Sequence, residues 1–263
     1  SSYGTNGFFQ QYKQSGTGQH LVLIHGLFGS LENLNMVAKP LSQYFCVTSV
    51  DVRNHGNSFH AGSMEYPELA EDIIKLLEHL HIDNCILLGH SMGGKIVIQV
   101  ALAQPKRITK LIIADIAPVS YPPHHLDIIK GLKAINLSEV TKRRDADEQL
   151  APYVDTLGVR QFLLRNLVAN EQGSFSFRCS LNDISLCYPQ IMKANKLNGD
   201  NTPYTGDTLF IKGGDSNYIL AEHREAIAAL LPNSKAKIIQ GAGHWLHAEK
   251  TTAFNKIVLD FIR

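Results

Sequence analysis

Gly89-His90-Ser91-Met92-Gly93 follows the pattern G-x-S-x-G and is the stretch most clearly arranged for chemistry. Such a serine stands at the apex of a strand-to-helix turn that lifts its hydroxyl clear of the sheet. The apolar run from Cys85 to Leu88 reads as the strand, and Lys95 to Ala103 reads as the helix. A serine hydroxyl is a weak nucleophile and needs a base. Among twelve histidines, His244 is singled out by its loop, Gly241-Ala242-Gly243-His244-Trp245, which follows the last apolar strand run. His247 reads as a packing partner. The base needs a carboxylate to hold its tautomer and stabilise the imidazolium. Asp115 ends the run Leu111 to Ala114, and Asp215 follows the run Thr208 to Lys212. Both stand at strand ends, where sites of open α/β sheets form, and spacing alone does not choose between them. His25-Gly26-Leu27-Phe28-Gly29 follows an early apolar run. The amides of Leu27 and Met92 would there form an oxyanion site. His25 reads as an orienting residue of that loop.

These residues need a frame that brings distant strand ends together. Apolar runs alternate with helical periods from His20 to Asp115 and again from Thr208 to the C-terminus, with an edge strand expected over Phe8 to Lys13. This alternation implies an α/β fold: a mostly parallel sheet flanked by helices. Residues 118–203 break the rhythm. They carry helical patterns at Leu126–Ile135, Asp145–Val154 and Val159–Val168 but no evident buried strand. The expected organisation is a core of 1–117 and 204–263 with an inserted helical cap at 118–203. Phe28, Met92, Tyr121, Phe162 and Trp245 are the expected walls of a substrate pocket beneath it.

Composition narrows the partners. The chain has 263 residues, 44% hydrophobic and 19% charged, with a net charge of +1. A near-neutral chain has no electrostatic reason to seek nucleic acid. No apolar run approaches the ~20 residues needed to span a membrane. The N-terminal residues show no basic and apolar signal segment, so a cytoplasmic location is expected. Cys46 and Cys85 read as core residues. Cys179 and Cys187 are near enough in sequence to pair, but nothing points to an oxidising compartment. His124-His125 lacks metal-ligand spacing and reads as a solvated loop, so neither a metal nor an organic cofactor is expected. Lys142-Arg143-Arg144 reads as a solvated helix face, with a docking point for an anionic leaving group such as a CoA phosphate as the sharper alternative.

Five motifs in order resemble the α/β-hydrolase superfamily over essentially the whole chain, and more closely its YbfF-type esterases. They are His25-Gly26-Leu27-Phe28-Gly29-Ser30, Asp51-Val52-Arg53-Asn54-His55-Gly56, Gly89-His90-Ser91-Met92-Gly93-Gly94-Lys95, Asp115-Ile116-Ala117-Pro118 and Gly241-Ala242-Gly243-His244-Trp245. The resemblance implies hydrolysis of carboxylic esters or acyl thioesters, with a small-molecule substrate and no cofactor. It also implies that Asp115 is the acid, since that branch credits the Asp of the Asp115-Ile116-Ala117-Pro118 motif and often carries Asn at the later position; this sequence departs by having Asp215 there, and Asp215 stays the alternative because the wider superfamily places its acid after that later strand. In the Asp51-to-Ser58 loop, Asp51 and Arg53 read as structural pins. Two rivals remain: a serine hydrolase that cleaves carbon–carbon bonds, and a non-catalytic binding protein built on a hydrolase fold. Oligomeric state is not legible.

Overall fold

The computed structural model describes residues 2–5 and 10–263. Phe8 and Phe9, the start of the expected edge strand, lie outside the described residues. The strands among the described residues are β1 (Ser2–Thr5), β2 (Gln11–Ser15), β3 (His20–Ile24), β4 (Cys46–Val50), β5 (Cys85–His90), β6 (Ile108–Ala114), β7 (Leu167–Ala169), β8 (Phe175–Phe177), β9 (Asp207–Gly213) and β10 (Ser234–Ile239). Eight of them form one sheet in the order β1-β2-β4-β3-β5-β6-β9-β10. β1–β2 and β2–β4 pair antiparallel, and every other neighbour in that sheet is parallel. The helices are α1 (Asn35–Leu41), α2 (Tyr66–His79), α3 (Met92–Ala103), α4 (Leu126–Ala134), α5 (Arg143–Leu150), α6 (Leu157–Leu164), α7 (Leu181–Ile191), α8 (Arg224–Leu230), α9 (Leu246–Glu249) and α10 (Thr251–Ile262).

The sheet is buried on both faces, which is why its central strands read as continuous apolar runs. Side chains alternate between the faces. Val22 and Ile24 of β3, Leu87 of β5 and Ile113 of β6 pack with α2 and α3. Leu21 and Leu23 of β3, Leu88 of β5 and Ile112 of β6 join α1 and α10 on the other side. Helix α2 opens on Pro67, where a missing N–H costs nothing. The register then fixes where chemistry can occur. Ile24 lies beside Gly89, His90 beside Ala114, and Ala114 beside Ile211. The loops after β3, β5, β6 and β9 therefore leave the sheet along one edge.

The chain between β6 and β9 stays out of this sheet. It carries α4 to α7, as the helical periods imply, and a small antiparallel pair, β7–β8, that the sequence reading lacked. The pattern expected as helix to Val168 stops at Leu164, and Val168 lies in β7. Each of these strands has three residues, too short for period-2 alternation to register. The segment is tied to the sheet layer by specific hydrogen bonds. Asn166 Nδ2 donates to Phe28 O (2.8 Å), Tyr66 Oη to Ile191 O (2.6 Å), and Lys95 Nζ to Val119 O (2.6 Å) and Lys193 O (2.8 Å). All four cysteines are buried free thiols, so Cys179 and Cys187 are not paired. Among the described residues no helix is long and apolar enough to cross a membrane.

Candidate active site

The turn after β5 is built by steric exclusion. A side chain on Gly89 would collide with the carbonyl of Gly93, and one on Gly93 would collide with the carbonyl of Ile24. Between them Ser91 adopts φ 56° and ψ −122°, a conformation sparsely populated by residues with side chains. Its N–H donates to Ala114 O at 3.0 Å, which fastens the turn to the end of β6. Ser91 Oγ lies 2.9 Å from His244 Nε2. The opposite ring nitrogen, Nδ1, lies 2.7 Å from Asp115 Oδ2.

Asp115 is fully buried and also has a positive φ, 55°. That backbone turns its carboxylate across the end of β9, where Gly213 N–H donates to Oδ1 at 3.0 Å and the Ser216 hydroxyl donates to Oδ2. The candidate carboxylates are thereby separated. Asp215 is exposed, and among the described residues its hydrogen bond runs from its backbone N–H to Ala242 O. The structure brings Ser91, His244 and Asp115 together and leaves Asp215 outside.

Other rings hold this line in place. Tyr218 stacks on His244 with centroids 3.7 Å apart and planes 12° apart. His90 Nε2 donates to His244 O at 2.7 Å. Burial, with His247 and His244 adding to it, lowers the pKa of His90 well below the ordinary histidine range, so the ring is neutral. The β3 loop is oriented by two further neutral rings. Val52 N–H donates to His25 Nε2 and Phe28 N–H donates to His55 Nε2, each at 3.0 Å. An accepting Nε2 places the proton on Nδ1, which donates to Gly26 O in His25 and to Arg53 O in His55. Burial pushes His25 down to about 3 and His55 to about 4. The expected loop pins are also present: Asp51 accepts Leu31 N–H and Asn57 N–H, and Arg53 binds both carboxylate oxygens of Asp72. Among the described residues, neither Leu27 N–H nor Met92 N–H has an acceptor in the chain. Met92 is the first residue of α3, whose N-terminal amides and dipole favour negative charge.

Two cavities meet at Ser91. The larger is about 630 Å³, a size typical of small-molecule sites. Phe28, Phe162 and Trp245 line it, as expected from sequence, together with His244. The smaller, about 30 Å³, is lined by the other two expected residues, Met92 and Tyr121. Sequence reasoning missed Tyr218 and His125, which line both cavities. No motif marks Tyr218; its role depends on the loop after β9 folding over His244. His125 is not the solvated residue expected. Its Nδ1 lies 2.8 Å from Tyr188 Oη, and burial lowers its pKa to about 3. Among the described residues, no group of acidic, histidine or cysteine side chains is placed to hold a metal.

The basic run lies on an exposed face at the start of α5, as expected. Arg143 donates to Leu164 O and Leu167 O, both at 2.6 Å, joining α5 to α6 and β7. Arg144 pairs with Glu148 on the same helix, and neither arginine lines the cavities.

Residues 19–251 match the family described as the alpha/beta hydrolase fold. The chain belongs to that family. It is 36% identical over 254 residues to esterase YbfF of Escherichia coli, covering 95% of this chain and 96% of that protein. It is 39% identical over 265 residues to the sn-1-specific diacylglycerol lipase ABHD11 of Xenopus laevis, covering 97% of this chain and 83% of the relative. A solved structure, a marine microorganism esterase, superposes with a TM-score of 0.91 at 36% identity, over 95% of this chain and 98% of that one. The chain is thus a hydrolase of the esterase and lipase group, and the resemblance seen in the five motifs extends along its length.

Proposed function

We propose that the protein hydrolyses carboxylic esters through Ser91, His244 and Asp115, with a covalent acyl-enzyme intermediate. The observation that carries this reading is the continuous line from Ser91 Oγ to His244 Nε2 (2.9 Å) and from Nδ1 to Asp115 Oδ2 (2.7 Å). His244 takes the hydroxyl proton as Ser91 attacks the acyl carbonyl. Asp115 holds the tautomer and stabilises the imidazolium that forms. The Leu27 and Met92 amides receive the oxyanion, a role supported by their lack of internal acceptors. His244 then protonates the leaving oxygen, and water activated by the same ring releases the acid. The relatives named as esterases and lipases support the ester bond as the target. An acyl thioester would pass through the same steps. Arg143 and Arg144, engaged elsewhere, give no support to a CoA-phosphate dock. In this reading the segment between β6 and β9 is a cap, since His125, Ile128 and Phe162 reach the larger cavity from it.

Ser91→Ala tests the proposal. Turnover of p-nitrophenyl acetate is expected to fall by roughly 10⁶-fold, as for nucleophile removal in serine hydrolases, with an unchanged thermal transition. A fluorophosphonate probe is expected to label Ser91 in the wild type and to leave the variant unlabelled. Near-normal turnover by the variant removes the nucleophile from the proposal.

A further inference from the structure

The two cavities beside Ser91 differ about twentyfold in volume, at about 630 and 30 Å³, and in which catalytic groups they touch. His244 and Trp245 line the larger one alone. Met92, at the start of α3, lines the smaller one alone, together with Lys95, Ile116, Ile191 and Met192. An ester bound at Ser91 must satisfy two demands at once. Its leaving oxygen has to reach the proton on His244 Nε2, which directs the alcohol portion into the larger cavity. Its carbonyl oxygen has to face the Leu27 and Met92 amides, which leaves the acyl portion the other space that opens on Ser91, the smaller cavity.

We propose that the smaller cavity is the acyl subsite, so that the substrate joins a short acyl group of about two or three carbons to a bulky, largely apolar alcohol. This assignment rests on the ester-hydrolase reading above. The size limit follows from the space: a water-sized group needs about 10–15 Å³, so the chamber holds about two or three heavy atoms of the acyl group, its carbonyl carbon among them. Its wall is closed by a tethered side chain: Lys95 is only 1% exposed, donates to Val119 O and Lys193 O, and lies 4.9 Å from the centre of the Tyr121 ring. On the opposite side, Phe28, Phe162 and Trp245 offer an apolar bed for the alcohol.

The test is a series of p-nitrophenyl acetate, butyrate and octanoate on the wild type, Met192→Ala and Phe162→Ala. Wild-type kcat/KM is expected to be at least about tenfold higher for acetate than for octanoate, since single methylenes in a fitted pocket carry effects of that order. Met192→Ala opens only the smaller cavity and is expected to raise the butyrate-to-acetate ratio several-fold. Phe162→Ala opens only the larger one and is expected to leave that ratio unchanged. Ile191→Val gives the same reading in a milder form where Met192→Ala unfolds. A preference for octanoate, or a chain-length ratio that moves with Phe162→Ala and not with the smaller-cavity variants, overturns the assignment while leaving the ester-hydrolase reading intact. Absence of turnover on every ester together with absence of fluorophosphonate labelling defeats the reading on which it rests.

Discussion

Ser91 and Asp115 stand at the ends of strands that are hydrogen-bonded to each other, and Gly213, at the end of the next strand, binds the Asp115 carboxylate. Phe162 and Ile128, on helices outside the sheet, and His125, in the turn before α4, reach the larger cavity from a segment attached to the sheet by a few hydrogen bonds such as Asn166 to Phe28 and Lys95 to Val119. In the proposed mechanism, the groups that must meet reacting atoms within tenths of an ångström are thus carried by hydrogen-bonded strands of one sheet. Groups that shape the cavity are carried by a segment with fewer constraints. The first region is expected to govern kcat and stability, and the second to govern which substrate fits.

The sharpest division is between the two aspartates. Asp115→Asn is expected to lower kcat by about 10⁴-fold, because an amide no longer holds the His244 tautomer. Asp215→Asn is expected to stay within about twofold in the same ester assay, since its side chain is exposed and accepts no hydrogen bond among the described residues. Reversed effects would move the acid from β6 to β9. The neutral histidines beneath the sheet edge give the next effect. Burial holds His25 at about 3, His55 at about 4 and His247 at about 4, all below the ordinary 6.5. The unfolded chain therefore binds protons first as pH falls, and stability is lost progressively from pH 6.5 toward 4. At pH 5 each such ring is expected to cost about 2 kcal/mol, seen as a lower Tm than at pH 7.5. A Tm that stays flat across that interval would mean these rings are protonated in the native state.

On the inserted side, Phe162→Ala is expected to raise KM about tenfold for an ester of a bulky aromatic alcohol while changing kcat little, as befits lost apolar contact. A fall in kcat with unchanged KM would place the inserted segment among the groups that act on the transition state. The smallest effect is expected at the boundary between the regions. Tyr218→Leu removes the stack on His244, and ring pairs of this kind contribute about 0.5–1.5 kcal/mol beyond buried area. The expected loss in kcat is about three- to tenfold, with KM within about twofold.

The same division governs how much the sequence discloses. Ser91 was legible because its glycines, strand and helix are contiguous. His244 was legible as the glycine-flanked histidine after the final strand. By spacing Asp115 and Asp215 read alike because each ends a strand, and only the resemblance carried by Asp115-Ile116-Ala117-Pro118 favoured the first. The positive φ of Asp115, its burial and its bonds to Gly213, Ser216 and His244 distinguish them in the fold, and none of these follows from spacing. Tyr218 and His125 act through rings brought over the site from separate loops, so no spacing rule finds them. The β7–β8 pair did leave a signal, the turn closed by Gly173 at φ 83°, but its strands are too short to carry a period.

Asp115 is also the last residue before the chain leaves the sheet. Two residues later the Ala117 N–H donates to Tyr121 Oη, and that hydroxyl donates to Tyr218 O beneath the His244 stack. At the far end, Tyr204 returns the chain to the sheet by donating its hydroxyl to Ile108 O. For anyone exchanging one roof for another on this scaffold, the splice points are therefore not the strand ends. A transplanted segment has to begin after Tyr121 and finish before Tyr204, because a junction cut at β6 itself would carry the proposed acid and the prop of its histidine away with the old segment.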